Sequence, residues 1–272
     1  MRAVTVLLVM LAALGGCSSE APSTAAKDSP GGTIAGKGNG SAPASGGSTT
    51  GPGSKSSTDK VEAKPTLEVL QEEVYVLMKD YDGGDWLCTG TLVSKDRVVT
   101  AGHCLDSNEF ASFLVVAPLA PGKPRVAASN PTPMSDDYNA VENPDIGFLT
   151  LDEPIELPAY GELTDVTKDV ESGKSLAATA VVRTKEEREA PFHAVDGLKL
   201  ESTTDLGYEH GFGVGLFSHG GDSGAGVFLV ENGHATHKLV GVCRQPDPDT
   251  KTDQLTRVDA DFIAWFAKNA EE

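Results

Sequence analysis

Residues 220–226 read Gly-Gly-Asp-Ser-Gly-Ala-Gly, which sets one hydroxyl, Ser223, beside one carboxylate, Asp222, in a run of small residues. Such a run suits either a flexible surface turn or a loop that presents a nucleophile and cradles an oxyanion with its amides. A serine hydroxyl is a weak nucleophile until a base takes its proton, and a histidine held by a carboxylate is the side chain suited to that task near neutral pH. Two other segments offer those partners. His103 ends the strand-like run Val-Val-Thr-Ala-Gly-His-Cys, and Asp145 in Asn-Pro-Asp-Ile-Gly-Phe-Leu directly precedes an apolar run. His193, His210, His219, His234 and His237 lie in polar or Gly-rich surroundings without such a carboxylate and are expected as solvated loop residues. Asp136-Asp137 and the Lys-Glu-Glu-Arg-Glu run at 185–189 are expected as exposed charge.

These residues need a frame that brings them together. From about residue 67 the chain is a succession of short apolar runs separated by Gly, Pro, Asp and Asn: 74–78, 91–94, 97–101, 113–117, 146–151, 175–182, 198–203, 226–230, 238–242 and 254–258. Many short strands with turn residues between them predict an all-β sandwich or barrel. The C-terminal segment departs from this pattern. Asp259 is placed to cap a helix in which Phe262, Ile263 and Phe266 share one face. No internal repeat and no metal-type Cys/His spacing occurs.

The first sixty residues are of another kind. Met1-Arg2 is followed by an eleven-residue apolar stretch, Val4 to Leu14, too short to span a bilayer but of the length of a secretory signal core. It runs into Leu14-Gly15-Gly16-Cys17, which resembles the lipobox of bacterial lipoproteins and implies cleavage before Cys17 and lipidation of its sulfur; an ordinary signal peptide with an incidental cysteine is the alternative. Residues 17–66 then form a Gly/Ser/Pro-rich tether, whose forty-odd unstructured residues reach roughly 35–40 Å. The expected organisation is therefore a signal peptide at 1–16, the lipidated cysteine and tether at 17–66, and a folded domain at 67–272. A net charge of −18 argues against nucleic acid or anionic lipid as a partner. Of the remaining cysteines, Cys88 and Cys104 flank two strand-like runs joined by Ser94-Lys95-Asp96-Arg97, a hairpin able to bring them together, and a bond there would add roughly 3 kcal/mol. Cys243, in an apolar run, is expected as a buried free thiol.

The Thr-Ala-Gly-His-Cys segment, the Asp-Ile-Gly-Phe-Leu-Thr-Leu segment and Gly-Asp-Ser-Gly-Ala-Gly, in that order, resemble the three signature regions of the trypsin/chymotrypsin-like serine proteases. The resemblance runs from about residue 72 to the final helix. It implies two six-stranded antiparallel β-barrels with a C-terminal α-helix, and a serine endopeptidase acting on protein or peptide substrates as a monomer without cofactor or metal. By the same resemblance Ser223 is the nucleophile, His103 the base and Asp145 its orienting partner, with the N–H groups of Gly221 and Ser223 facing the oxyanion. Together with the export signal, it implies an endopeptidase tethered to the bacterial cell envelope through Cys17.

The chain departs from that pattern in three places. No Ile-Val-Gly-Gly-like start, whose freed amino group would pair with Asp222, occurs in Lys64-Pro-Thr-Leu-Glu-Val-Leu-Gln-Glu-Glu-Val-Tyr-Val-Leu-Met-Lys-Asp80, so Asp222 needs a cation or other donors from within the domain, the candidates being backbone amides of 211–221 or the side chain of His219. Phe217 falls at the floor of the specificity pocket and Asp253 on its wall; the first favours small or apolar side chains, the second Lys or Arg. Arg244-Gln245-Pro246 replaces a Ser-aromatic-Gly sequence on the substrate-binding strand. An obstructed cleft would suit a rival reading, a catalytically silent module of the same fold that binds a partner at the envelope. A periplasmic chaperone-protease would need a peptide-binding domain after residue 272.

Overall fold

The computed structural model describes residues 65–138, 141–204, 207–247 and 250–271. Six antiparallel strands close a first barrel: β1 (Glu73–Asp80), β2 (Asp85–Ser94), β3 (Arg97–Thr100), β4 (Phe110–Val116), β5 (Arg125–Pro133) and β6 (Gly147–Leu151), in the order β1-β2-β3-β6-β5-β4. After the two-residue β7 (Glu162–Leu163) and a short helix α2 (Thr167–Glu171; α1 is Thr66–Val69), a second barrel follows. It comprises β8 (Leu176–Arg183), β9 (Phe192–Ser202), β10 (Gly211–Gly215), β11 (Gly226–Glu231), β12 (His234–Asp247) and β13 (Thr252–Arg257). Pairing of β11 with both β8 and β12 closes it, and β7 adds to β12 in parallel. The expected pair of six-stranded barrels with a C-terminal helix is the fold.

Period-two alternation explains how one strand serves two cores. In β1, Val74, Val76 and Met78 fill the first barrel, while Tyr75 and Leu77 join a cluster that draws on both barrels. In β8, Ala178, Ala180 and Val182 fill the second barrel, while Val181 joins that shared cluster. Tyr75 also donates from its hydroxyl to the Ala190 carbonyl at 2.6 Å and stacks on Phe192 at 4.5 Å. The faces that meet are apolar on both sides, so burying one buries the other.

Helix α3 (Ala260–Asn269) closes over the first barrel. Asp259 accepts from the Phe262 N–H at 2.9 Å, as expected of a cap, and Phe262 is buried. Trp265 and Phe266 meet Phe148 of β6 edge-on at 5.6 and 5.2 Å, and Arg97 of β3 donates to the Ala270 carbonyl at the other end. Cys88 and Cys104 are bonded, with Cα atoms 6.4 Å apart, and Cys243 is a buried free thiol that burial pushes well above the usual thiol range. Cys17 lies outside the described residues.

Because Asp259 satisfies an otherwise unpaired helix amide, Asp259→Ala should cost about 1 kcal/mol in urea unfolding, and Asp259→Asn or Asp259→Ser much less. Equal losses from all three would show that the Arg257–Asp259 ion pair, rather than the cap, holds this end.

Candidate active site

Barrel 1 supplies two of the three expected residues. His103 sits in the 3-10 turn Gly102–Leu105 that follows β3, and Asp145 stands just before β6. Antiparallel pairing of β3 with β6 sets Thr100 opposite Gly147 and so brings both segments to the same barrel end. Asp145, almost fully buried, accepts the His103 backbone N–H through Oδ1 at 2.8 Å and faces Nδ1 of the ring with Oδ2 at 2.8 Å. One carboxylate thereby fixes both the backbone and the ring of the same histidine, which leaves Nε2 turned from it.

Barrel 2 supplies the third. Ser223 lies in the loop before β11, and its hydroxyl donates to the Arg244 carbonyl at 3.4 Å. Ser223, His103 and Asp145 line one cleft of about 520 Å³, with Met78, Trp86, Leu87 and Phe110 as its apolar wall. The Ser223 loop is held from the first barrel: Thr89 of β2 donates its N–H to the Ser223 carbonyl at 2.8 Å and its hydroxyl to the Gly221 carbonyl at 3.0 Å. Within the loop the amides of Asp222, Gly224 and Ala225 are bound to His219, Cys243 and Asp222 carbonyls. Those of Gly221 and Ser223 have no protein acceptor among the described residues. Two free N–H groups separated by one residue are what an oxyanion site requires. Glycine is obligatory at both flanks. Gly221 has φ of 89°, and a Cβ there would lie 2.6 Å from Arg183 Nη2; Gly224 has φ of 85°, and its Cβ would collide with the Thr89 carbonyl and Thr100 Oγ1.

Asp222 finds its cation in Arg183, the last residue of β8. Both side chains are fully buried, with Nε 3.1 Å from Oδ1. The rest of the guanidinium is satisfied by backbone carbonyls: Nη1 donates to Glu186 and Glu187, and Nη2 to Gly220. The other carboxylate oxygen accepts the His219 backbone N–H at 3.0 Å, and His219 Nδ1 lies 2.6 Å away, within ion-pair distance though off the angle of a hydrogen bond. Sequence reasoning missed Arg183, although a lone arginine directly after the apolar run 175–182 was the available signal.

Two expectations about histidines are corrected here, and one about charge holds. His219 is not a solvated loop residue but the neighbour of Asp222, because the tight turn at 219–222 folds it back. His237 is not one either: it lies in β12 with Nδ1 2.7 Å from buried Glu72, whose carboxylate raises its pKa. The 185–189 run is exposed charge as expected from Lys185 to Arg188, with Glu189 half-buried in a pair with Arg125, while the backbone carbonyls of Glu186 and Glu187 are part of the Arg183 cradle. His193 lies partly buried in β9, while His234 is exposed. Glu73, adjacent to Glu72, was also missed: it accepts the Gly226 N–H and the Thr91 hydroxyl, and burial pushes its carboxyl well above the usual range.

Phe217 and Asp253 come together through the 217–218 backbone. Asp253 is fully buried; Oδ2 accepts the N–H groups of Phe217 and Ser218, and Oδ1 the Ser218 hydroxyl. Its charge is committed to holding the 217–218 segment, and Phe217 packs against the second-barrel core. Cys88, His103 and Cys104 also cluster at ligand distance, but the two sulfurs are bonded to each other and offer no thiolate to a metal.

A two-barrel fold with histidine, aspartate and serine converging between the barrels defines the chymotrypsin-fold class. The trypsin family model matches residues 70–263, and the chain belongs to that family. Among solved structures it is similar to HL collagenase, at 14% identity over 77% of this chain and 97% of the other, with a TM-score of 0.58. It is similar as well to GrC, at 18% identity over 77% and 98% with a TM-score of 0.57. A scabies mite inactivated protease paralogue, S-I1, is 15% identical over 78% and 100%, with a TM-score of 0.60. No protein of curated function matches the sequence.

Removing the Arg183 charge would strand a buried carboxylate, so Arg183→Met should lower stability by about 3–5 kcal/mol. Adding Asp222→Asn should return part of that stability without returning reactivity of Ser223 toward a fluorophosphonate, since the loop still lacks its tie. Urea unfolding and probe labelling measured together check both parts.

Proposed function

We propose that this chain is a serine endopeptidase in which Ser223, His103 and Asp145 act as one unit. The observation that carries the reading is the convergence, on one cleft, of an Asp145-bound His103, the Ser223 hydroxyl and two uncommitted amides. Ser223 Oγ attacks the scissile carbonyl carbon while its proton passes to His103 Nε2, and the carbonyl oxygen takes the negative charge between the N–H groups of Gly221 and Ser223. Each such donor contributes about 3–4 kcal/mol in comparable sites. Collapse breaks the C–N bond, the imidazolium gives its proton to the leaving amine, and Ser223 is left acylated. Water then attacks the ester, with His103 taking its proton, to release the acid and restore the hydroxyl.

The side chain bound next to the cut is small or apolar in this reading, because Asp253 is spent on the 217–218 backbone and Phe217 stands where a floor carboxylate would select Lys or Arg. The catalytic loop is ordered without a freed amino terminus, since Arg183 already occupies Asp222. The domain acts outside the cell, carried by an export signal and held to the bacterial envelope by a lipid on Cys17 through the 17–66 tether; Cys17 and residues 17–64 lie outside the described residues. A catalytically silent module, as the printed name of S-I1 describes that protein, is disfavoured by the full set of three residues.

Ser223→Ala should abolish hydrolysis and fluorophosphonate labelling and leave the melting temperature unchanged, because it removes one hydroxyl and no core volume. His103→Ala should do comparable damage, and the double mutant little more. Retained hydrolysis in Ser223→Ala would overturn the assignment. Protein beginning at residue 60 should be active as made; activity only after a specific cut between residues 60 and 80 would overturn the pre-ordered loop. On a peptide library, cuts should follow small or apolar residues, and a dominant Lys or Arg preference would overturn the pocket reading.

A further inference from the structure

Asp145 is placed between two cations. Its Oδ2, which faces His103 Nδ1, also lies 3.5 Å from Nε of Arg244. The Arg244 side chain is only 8% exposed and so points inward to the carboxylate rather than out across the cleft. It is fixed from two further directions: Nη1 donates to Gln254 Oε1 at 3.0 Å, and Cζ stands 4.9 Å from the centroid of the Tyr208 ring. Tyr208 is buried in turn, with its hydroxyl shared with Thr256 at 2.7 Å. The guanidinium is thus a built part of the site.

We propose that Arg244 is a positioning residue that sets the working pH of His103 through the carboxylate they share, allowing the enzyme to act at more acid pH than a triad whose aspartate faces only neutral donors. This rests on the protease reading above. The imidazolium form of His103 is stabilised by the negative charge of Asp145, and a permanent cation on the far side of that carboxylate offsets part of that charge. Both partners are shielded from water, so the offset is weakly screened. The same contact holds Oδ2 toward Nδ1.

Among the described residues, other titratable groups also face the pair. Across the cleft the Tyr138 ring lies 6.4 Å from that of His103 and its hydroxyl donates to Asp106; burial raises the Tyr138 pKa, and that bond holds Asp106 below the usual carboxylate range, so neither changes charge near neutrality. Glu109 also lines this cleft. Behind Asp145, the Tyr208 hydroxyl and the Cys243 thiol are both pushed up by burial. The Cys88–Cys104 disulfide does not titrate.

The test is kcat/KM against pH for a peptide ester with wild type, Arg244→Gln and Arg244→Lys, alongside the pH dependence of fluorophosphonate labelling. In Arg244→Gln the acid limb should move up by about one pH unit in both measurements, and Arg244→Lys should fall between it and wild type. An acid limb that stays in place in Arg244→Gln, whatever the loss in rate, would overturn the proposal and leave Arg244 a packing residue. Should Arg244→Gln fail to fold, Gln254→Ala frees one side of the guanidinium, and an unmoved limb there counts equally against the proposal. Absence of labelling of wild type at every pH would instead overturn the protease reading, and this inference with it.

Discussion

The ion pair of Arg183 and Asp222 is the interaction on which the catalytic loop depends. Two charges taken wholly out of water cost several kcal/mol each, and attraction alone rarely repays that. Here the remaining valences are filled as well, by three backbone carbonyls on the arginine and by the His219 amide on the aspartate. That set of bonds dictates the turn at 219–222, and the turn in turn demands a left-handed residue without a side chain at 221. Among the described residues, the amides of Gly221 and Ser223 are left without a protein acceptor while those of Asp222, Gly224 and Ala225 are bound within the fold.

The two barrels contribute unequal things to this arrangement. The first contributes His103 already tied to Asp145, on segments set side by side by the β3–β6 ladder. The second contributes Ser223 on a loop that the first then grips through Thr89 and Glu73. The chemistry therefore depends on how the barrels meet, and the shared apolar cluster around Tyr75, Val181 and Phe228 sets that meeting.

Much of this was legible in the sequence, for reasons that differ by element. Strands such as 74–78 and 226–230 announce themselves because they are bounded apolar runs, and α3 because Asp259 precedes a face at helical spacing. The order of His103, Asp145 and Ser223 carried the site. β5 and β10 were harder: Pro131 and Pro133 interrupt the former, and the latter, Gly-Phe-Gly-Val-Gly, looks like a turn until its partner β13 is known. Arg183, His237 and Glu73 escaped because a buried charge is recognised by its partner, and each partner lies elsewhere in the chain, whereas His219 could be named as a candidate neighbour of Asp222 because it lies three residues away. Arg244 was visible as a departure, but its direction was not, since only the fold shows that it faces Asp145.

A guanidinium in the place of a freed amino group also changes what alkali can do to the molecule. An amino terminus paired with a carboxylate gives up its proton a little above neutrality, with an ordinary value near 8, and the order it imposes is lost as pH rises through the paired value. Arginine holds its charge throughout the range in which proteins survive. The tie that Arg183 gives the loop therefore persists in alkali where one made by an amino terminus would be lost.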